Sequence, residues 1–221
     1  MGCHAGRIQI GWPSEPPRAP SVDENAITDM VFELRGTRLP IDHGLALYRE
    51  LARLVPCLEE SELAGVHPVH GSDSGSGELM LNRRTRLVIR IPSERIDDLQ
   101  VLSGQTLNVA GNTLTIGTAK LKPLPHHTPL YARLVTTGSV EEIDFVHDIM
   151  RMLDDLNIET RFLCGLRQTV TDASGVVSGY SLMLHGLPIE HAIRVQQIGL
   201  GSNRKIGCGI FVPHKSIAAL V

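Results

Sequence analysis

The stretch MVFELRGTRLPIDHGLALYRELARLVP, Met30 to Pro56, carries two hydrophobic periods in succession, and its reading decides the fold. Met30, Phe32 and Leu34 alternate with Val31, Glu33 and Arg35, the period of two that marks a strand. From Pro40 the period lengthens. Ile41, Leu45, Tyr48, Ala52 and Val55 recur at helical spacing until Pro56, with Asp42 as the expected cap. The same order returns in the second half of the chain. Leu130 to Val135 reads as a strand, and Val140 to Leu156 as an amphipathic helix with Ile143, Val146, Ile149, Met150 and Leu153 on one face.

Outward from these two strand-helix pairs, the remaining segments complete a repeated pattern. In the first half, strands are expected at 63–70 and 78–91 across the Gly/Ser-rich tip 71–77. Ser93 caps a short helix to Leu102, and residues 108–121 form one or two strands around Gly111-Asn112. In the second half, strands at 160–170 and 177–184 meet across Ser174-Gly175. A helix from Ile189 to Ile198, a glycine loop and a strand from Ile210 to Val212 follow. Each half reads β-α-β-β-α-β, so the expected fold is α+β with two tandem ferredoxin-like domains. The expected divisions are a Pro-rich tail at 1–25 outside the folded part, an amino-terminal domain at 26–122, a Pro-bounded linker at 123–129 and a carboxyl-terminal domain at 130–221.

Composition narrows the function. With 221 residues, 42% hydrophobic and 20% charged, the chain is of the soluble globular class and can bury a core. A net charge of −3 disfavours binding to nucleic acid through bulk positive charge. That charge is nevertheless segregated. Residues 141–160 carry −6, whereas 191–221 hold Arg194, Arg204, Lys205 and Lys215 with no acidic residue, a local +4. The four cysteines form no CxxC pair, so neither a zinc module nor a disulfide framework is expected, and no cofactor is implied. The first twenty residues lack the apolar core of a signal peptide, and no apolar run approaches the roughly 20 residues of a membrane span. The expected location is cytoplasmic, with no membrane partner.

Two clusters carry the chemistry. The first is the run GLGSNRKIGCGIFVPHK from Gly199, in which Gly199, Gly201, Gly207 and Gly209 flank Arg204 and Lys205. Such a loop lets backbone amides approach a phosphate while cations neutralise it, although as a glycine-rich connection it could equally be structural. It is not a P-loop, since GxxxxGK[ST] is absent. The second is Arg83, Arg84, Arg86 and Arg90. Arg84, Arg86 and Arg90 share one strand parity, so they are expected to line one sheet face and to track a phosphate backbone. Only 4% of residues are aromatic, so recognition should rest on phosphate and base-edge contacts more than on stacking.

The terminal glycine-rich run resembles the signature loop of the CRISPR repeat-processing endoribonucleases. FELRGTRLPIDHGLALYRELARLVPCL, LNRRTRLVIRIP, LYARLV and YSLMLHGL extend the likeness to a subgroup of that family attached to type I systems, over roughly residues 28 to 217. The resemblance implies tandem ferredoxin-like folds and metal-independent cleavage of precursor CRISPR RNA by 2′-hydroxyl attack, leaving a 2′,3′-cyclic phosphate and a 5′-hydroxyl. It also implies CRISPR repeat RNA as partner, and other subunits of an effector complex as candidates. The chemistry needs a base, an acid and cations for the developing charge.

The family's histidine near the start of the first helix corresponds to His43. Imidazole titrates near neutrality, and a helix amino terminus disfavours its protonated form, while Asp42 opposes this. Tyr48 is the nearest candidate partner, though its place on the apolar stripe also suits core packing. His67 and His70 are rivals for the second catalytic group, and His214 and Lys215 are expected to touch RNA. Two other readings remain open. One is a guide-RNA-binding subunit that does not cut. The other is a two-histidine phosphoesterase, for which His126-His127-Thr128 and His214-Lys215-Ser216 are weak Hx[ST] matches, equalled by His70-Gly71-Ser72.

Overall fold

The computed structural model describes residues 23–214, so Lys215 and most of the Pro-rich stretch lie outside the described residues. In the first half, β1 (Ile27–Arg35) and β2 (Arg38–Pro40) lead into α1 (Gly44–Leu54) and the short α2 (Cys57–Glu60). There follow β3 (Gly65–Val66), β4 (Ser72–Asp73), β5 (Glu78–Met80) and β6 (Arg86–Pro92). Two 3₁₀ turns, Ser93–Arg95 and Asp97–Leu102, then precede the hairpin of β7 (Thr106–Val109) and β8 (Asn112–Pro123). In the second half, β9 (Leu130–Val135), α3 (Glu142–Asp155), β10 (Arg161–Asp172), β11 (Gly175–His185), α4 (Ile189–Ile198) and β12 (Val212–Pro213) follow in order.

Sheet order makes the architecture explicit. The first sheet runs β3-β6-β1-β8-β7 and the second β10-β11-β9-β12, with every pair antiparallel. In each, the strand before the first helix lies centrally, flanked by the strands third and fourth in the βαββαβ order. That is the ferredoxin-like arrangement twice over, in an α+β chain. A small third sheet, β2-β5-β4, projects from the first half.

Each sheet buries one face under its helices. Phe32, Leu87, Ile89 and Ile91 pack with Leu47 and Leu51 of α1 in the first core, and Leu130, Ala132, Leu182 and Leu184 with Phe145 and Ile149 of α3 in the second. Each such fully buried side chain contributes about 1.5–3 kcal/mol. A third cluster, Leu134, Val170, Ile206 and Cys208 with Leu45 and Tyr48, joins the halves. The fit there is tight. A Cβ on Gly44, the first residue of α1, would stand 2.3 Å from the Ile206 carbonyl oxygen.

Several expected details differ. The strand expected at 78–91 is broken at 81–85, because Asn82 Oδ1 accepts the Arg84 N–H at 2.8 Å and Thr85 N–H bonds the Asn82 carbonyl, forming a turn. The strand expected at 63–70 shrinks to two residues, and Ser93 opens 3₁₀ turns without capping them. Asp42 does not cap α1. His43 holds that position, and Asp42 Oδ2 accepts the Thr171 N–H at 3.0 Å, from the opposite half. No helix among the described residues is long and apolar enough to cross a membrane.

Candidate functional site

The second sheet turns its helix-free face toward α1 of the first half, where Leu134 and Val170 meet Leu45 and Tyr48, while the outer face of β6 lies under the end of α4 and the segment before β12. Leu87, Ile89 and Ile91 point into the first core, so Arg86, Val88 and Arg90 take the opposite face. Arg86 is exposed at one end. Arg90, four residues on, is fully buried, and this corrects the expectation that the arginines of one parity all face a ligand. Its Nε and Nη2 donate to Asp29 Oδ1 and Oδ2 at 2.7 and 3.0 Å, and its Nη1 donates to the carbonyls of Gln196 and Phe211, both at 2.9 Å.

Arg204 is a second correction. It is 8% exposed; its Nη2 donates to the carbonyls of Gln196 and Gln197 at 3.2 and 2.7 Å, and its Nε to Leu63. Those glutamine carbonyls belong to the last turn of α4, where backbone oxygens have no intrahelical donor and the dipole is negative. Two guanidinium groups, one from each half, therefore finish the same helix end. Burial pushes the Arg204 guanidinium down to about 9, helped by the charge of Arg90, and it stays cationic at neutral pH. Burial alone would raise the Asp29 carboxyl, but the His67 ring beside it and the bonds and charge of Arg90 hold it well below the usual carboxylate range.

The glycine loop serves this packing. Gly199, Gly201, Gly207 and Gly209 all have positive φ, between 64 and 101°. A Cβ on Gly199 would stand 2.3 Å from Arg204 Nη1, and one on Gly209 2.3 Å from the Leu200 carbonyl oxygen. The amides of Gly199, Ser202, Gly207, Cys208 and Gly209 all donate inward to backbone carbonyls. These amides are not free to cradle a phosphate, contrary to the expected geometry. Lys205 donates to the Glu59 carbonyl at 2.5 Å, and the exposed His214 stacks obliquely on Tyr131 with ring centroids 5.4 Å apart. Lys215 lies outside the described residues.

A cleft remains open beside this sealed region, its wider part within the first half and its narrower part between the halves. One cavity of about 430 Å³ is lined by His67, His70, Asn82, Arg84, Thr85 and Arg86. Across Pro68 it adjoins a narrower one, lined by His43, Asp42, Arg133, Gln168 and Cys208. Arg83 lines a further depression with Glu33 and Arg35, which Arg86 borders as well. Arg84, Arg86 and Arg133 form no ion pair with a carboxylate among the described residues, so their charge is available to a ligand. Among those residues no group of three or more His, Cys, Asp or Glu is placed to hold a metal ion.

His43 is only 3% exposed. Its Nδ1 lies 2.9 Å from the Pro40 carbonyl, and its Nε2 lies 3.0 Å from the Val69 amide, from which it accepts. The carbonyl requires a proton on Nδ1 and the amide requires a lone pair on Nε2, so the ring is the neutral Nδ1–H tautomer. Burial is the main force lowering its pKa. The bonds to Pro40 and Ile41 oppose this, the charge of Arg133 adds to it, and Asp42 opposes it again. His70 follows Val69 at the cleft wall, where burial of its ring and then Arg133 lower its pKa. His67 is driven down to about 4 by burial, despite Asp29, with its Nε2 3.4 Å from Asp29 Oδ1 but not in hydrogen-bonding geometry.

Tyr48 does not join this group. It lines a different cavity, of about 420 Å³, with Leu45, Glu62, Ser202, Asn203 and Lys205. Burial and then Glu59 raise its hydroxyl pKa. Arg133 and Gln168 carried no expectation. The signal for Arg133 was a lone charge inside the otherwise uncharged LYARLV.

A model of the Cas6 family, described as Cas6 Crispr, matches residues 28–216. A CRISPR-associated endonuclease Cas6 from Myxococcus xanthus (strain DK1622) is 36% identical over 186 residues, covering 84% of this chain and 80% of the relative. Among solved structures, a CRISPR associated protein Cas6 superposes with a TM-score of 0.62 at 12% identity, covering 86% of this chain and all of the other. A Cas6-related protein from Pyrococcus furiosus gives 0.57 at 10% identity, over 84% of this chain and 97% of the other. At these identities the structural matches speak for the tandem fold.

Proposed function

The chain belongs to the Cas6 family, and on that premise we propose that it is a metal-independent endoribonuclease that cuts precursor CRISPR RNA within each repeat to make guide RNAs. The observation that carries the mechanism is the neutral His43 at the cleft, its tautomer set by Pro40 so that Nε2 is the basic nitrogen. In this reading Nε2 takes the proton of a ribose 2′-hydroxyl. The O2′–P bond forms, the P–O5′ bond breaks, and a proton delivered to O5′ restores the balance. The products are a 2′,3′-cyclic phosphate and a 5′-hydroxyl. Because Nε2 accepts from Val69 N–H, the 2′-hydroxyl has to replace that amide; hydrogen bonds at catalytic groups often reach their working partners only with substrate in place.

RNA is drawn to the cleft by Arg84 and Arg86, which carry uncompensated charge along its wall. Lys205, His214 and Tyr48 lie away from it and serve RNA contact or packing rather than the proton transfers. The test is incubation of the purified chain with end-labelled repeat RNA in EDTA. A single cut bearing a cyclic phosphate is expected, and a 2′-deoxy substitution at the attacked position should abolish it while binding persists. Binding without any cut would favour a guide-holding subunit, and a cut only with added magnesium would overturn the metal-free chemistry.

A further inference from the structure

We propose that Arg133, braced by Gln168, is the cation that holds the scissile phosphate and stabilises the charge of the phosphorane; this rests on the endoribonuclease reading above. Two irregularities of the second sheet shape its surroundings. From Leu182 to Tyr180 is two residues on β11, but the facing span is three on β9, Ala132 to Val135, and three on β10, Cys164 to Arg167. Both neighbours of β11 therefore bulge opposite Ser181. Each bulge adds one residue and changes which side chains face which way beyond it. Leu130 and Ala132 pack in the second core, whereas Leu134 packs between the halves. On β10, Phe162 and Cys164 lie against the second core, whereas Val170 lies between the halves. Alternation from Ala132 already puts Arg133 on the face turned to the first half, the β9 bulge keeps Leu134 on that side with it, and the β10 bulge brings Gln168 round to the same face, so that both Arg133 and Gln168 line the His43 cavity.

The side chain is held by an amide and not by an acid. Arg133 Nε donates to Gln168 Oε1 at 3.4 Å, and Gln168 Nε2 donates to the Arg133 carbonyl at 3.0 Å. Such a brace orients the guanidinium without neutralising it, leaving donors in a planar fork that suits two phosphate oxygens. Arg133 lines the His43 cavity, and its charge reaches both His43 and, in the adjoining cavity, His70, so the cation stands with the His43 imidazole at one point of the cleft. A 2′-hydroxyl on His43 Nε2 would bring the adjacent phosphate to this point. Arg133 transfers no proton; its work is electrostatic, on the non-bridging oxygens as negative charge accumulates.

The test is single-turnover cleavage at saturating repeat RNA with Arg133→Ala, Arg133→Lys and Gln168→Ala, alongside measured affinities and melting temperatures. Arg133→Ala should lose about 10²-fold or more in rate at saturation, as expected when one preorganised donor to the developing charge is removed. Affinity should change by only a few-fold, as for one phosphate contact among several. Arg133→Lys should recover part of the loss, and Gln168→Ala should show a smaller loss of the same kind. A second readout is the pH profile. His43 is faced by Asp42, Arg133 and the neutral Gln168 and Cys208, and His70 by Arg133 with Arg84, Arg86 and His67 across its cavity. Removing Arg133 raises both imidazole pKa values, so the acid limb should move to higher pH. An unchanged saturating rate in Arg133→Ala overturns the proposal, as does a rate loss explained wholly by affinity or unfolding with an unmoved acid limb. A wild-type chain that binds and never cuts overturns the endoribonuclease reading itself, whereas wild-type cutting with an indifferent Arg133 overturns only this assignment.

Discussion

Arg86 and Arg90 stand four residues apart on one face of one strand, yet they belong to different regions. Arg90 lies beneath the second half, with a carboxylate and two carbonyls around it. Arg86 lies beyond that cover, bonded only to the carbonyls of Arg83 and Thr85. Arg204 and Arg133 repeat the contrast from the other side, one finishing a helix end and the other held by an amide in the cleft. The same residue type acts as a structural clamp where the halves touch and as a ligand-ready charge where they part. What separates the two uses is burial by a distant segment, so strand parity alone does not sort them.

The comparison can be broken most severely at the open end. His43→Ala should lower the single-turnover rate by roughly 10²- to 10⁴-fold, the usual contribution of a general acid or base, with little change in RNA affinity. The sealed end should respond in stability. Arg90→Met leaves Asp29 buried and uncompensated, at a cost of about 3–5 kcal/mol in urea denaturation, and Asp29→Leu in the same chain should recover part of it. A neutral variant at Arg90 with wild-type stability would dissolve the distinction. Next in size is the pH dependence. The folded pKa of His67, about 4, lies below its ordinary 6.5, so the unfolded state binds the proton more readily in that window. Its contribution is complete above 6.5 and is lost as pH falls toward 4, by up to about 3 kcal/mol. His67→Gln should flatten denaturation midpoints across that range. The smallest effect belongs to Arg84→Ala, which should weaken RNA binding a few-fold and reduce the slope of log affinity against log salt by roughly 0.7–0.9. An unchanged slope would take Arg84 off the RNA path.

Hydrophobic period made much of the fold legible. The helix Ile189–Ile198 and the strand Leu130–Val135 coincide with their expected spans, and the helix expected over Val140 to Leu156 runs Glu142–Asp155, because strong local patterns and local punctuation determine them. The break at Asn82 was hidden, since an Asx turn depends on a side-chain bond that alternation does not register. At the site, His43 and the arginine-bearing strand were visible as residue types. The seal over Arg90 was not, because its covering carbonyls, Gln196 and Phe211, lie 106 and 121 residues away. Arg133 was passed over for a related reason. A lone charge in a strand looks like an ordinary solvent-facing residue until its neighbours across the chain, Gln168 and His43, are seen.

The paired bulges have one more consequence, for how the gene can change. Beyond the bulge each strand runs half a repeat out of step with its own beginning, so β10 contributes its first part to one core and its last part to another. Deleting Leu166, which is 79% exposed and looks dispensable, would restore the step and rotate Gln168 and Val170 away from the partner half. Substitution there is a surface event; a change of length is a change of phase. Families of this chain should therefore tolerate many residues at that point but only one count of them.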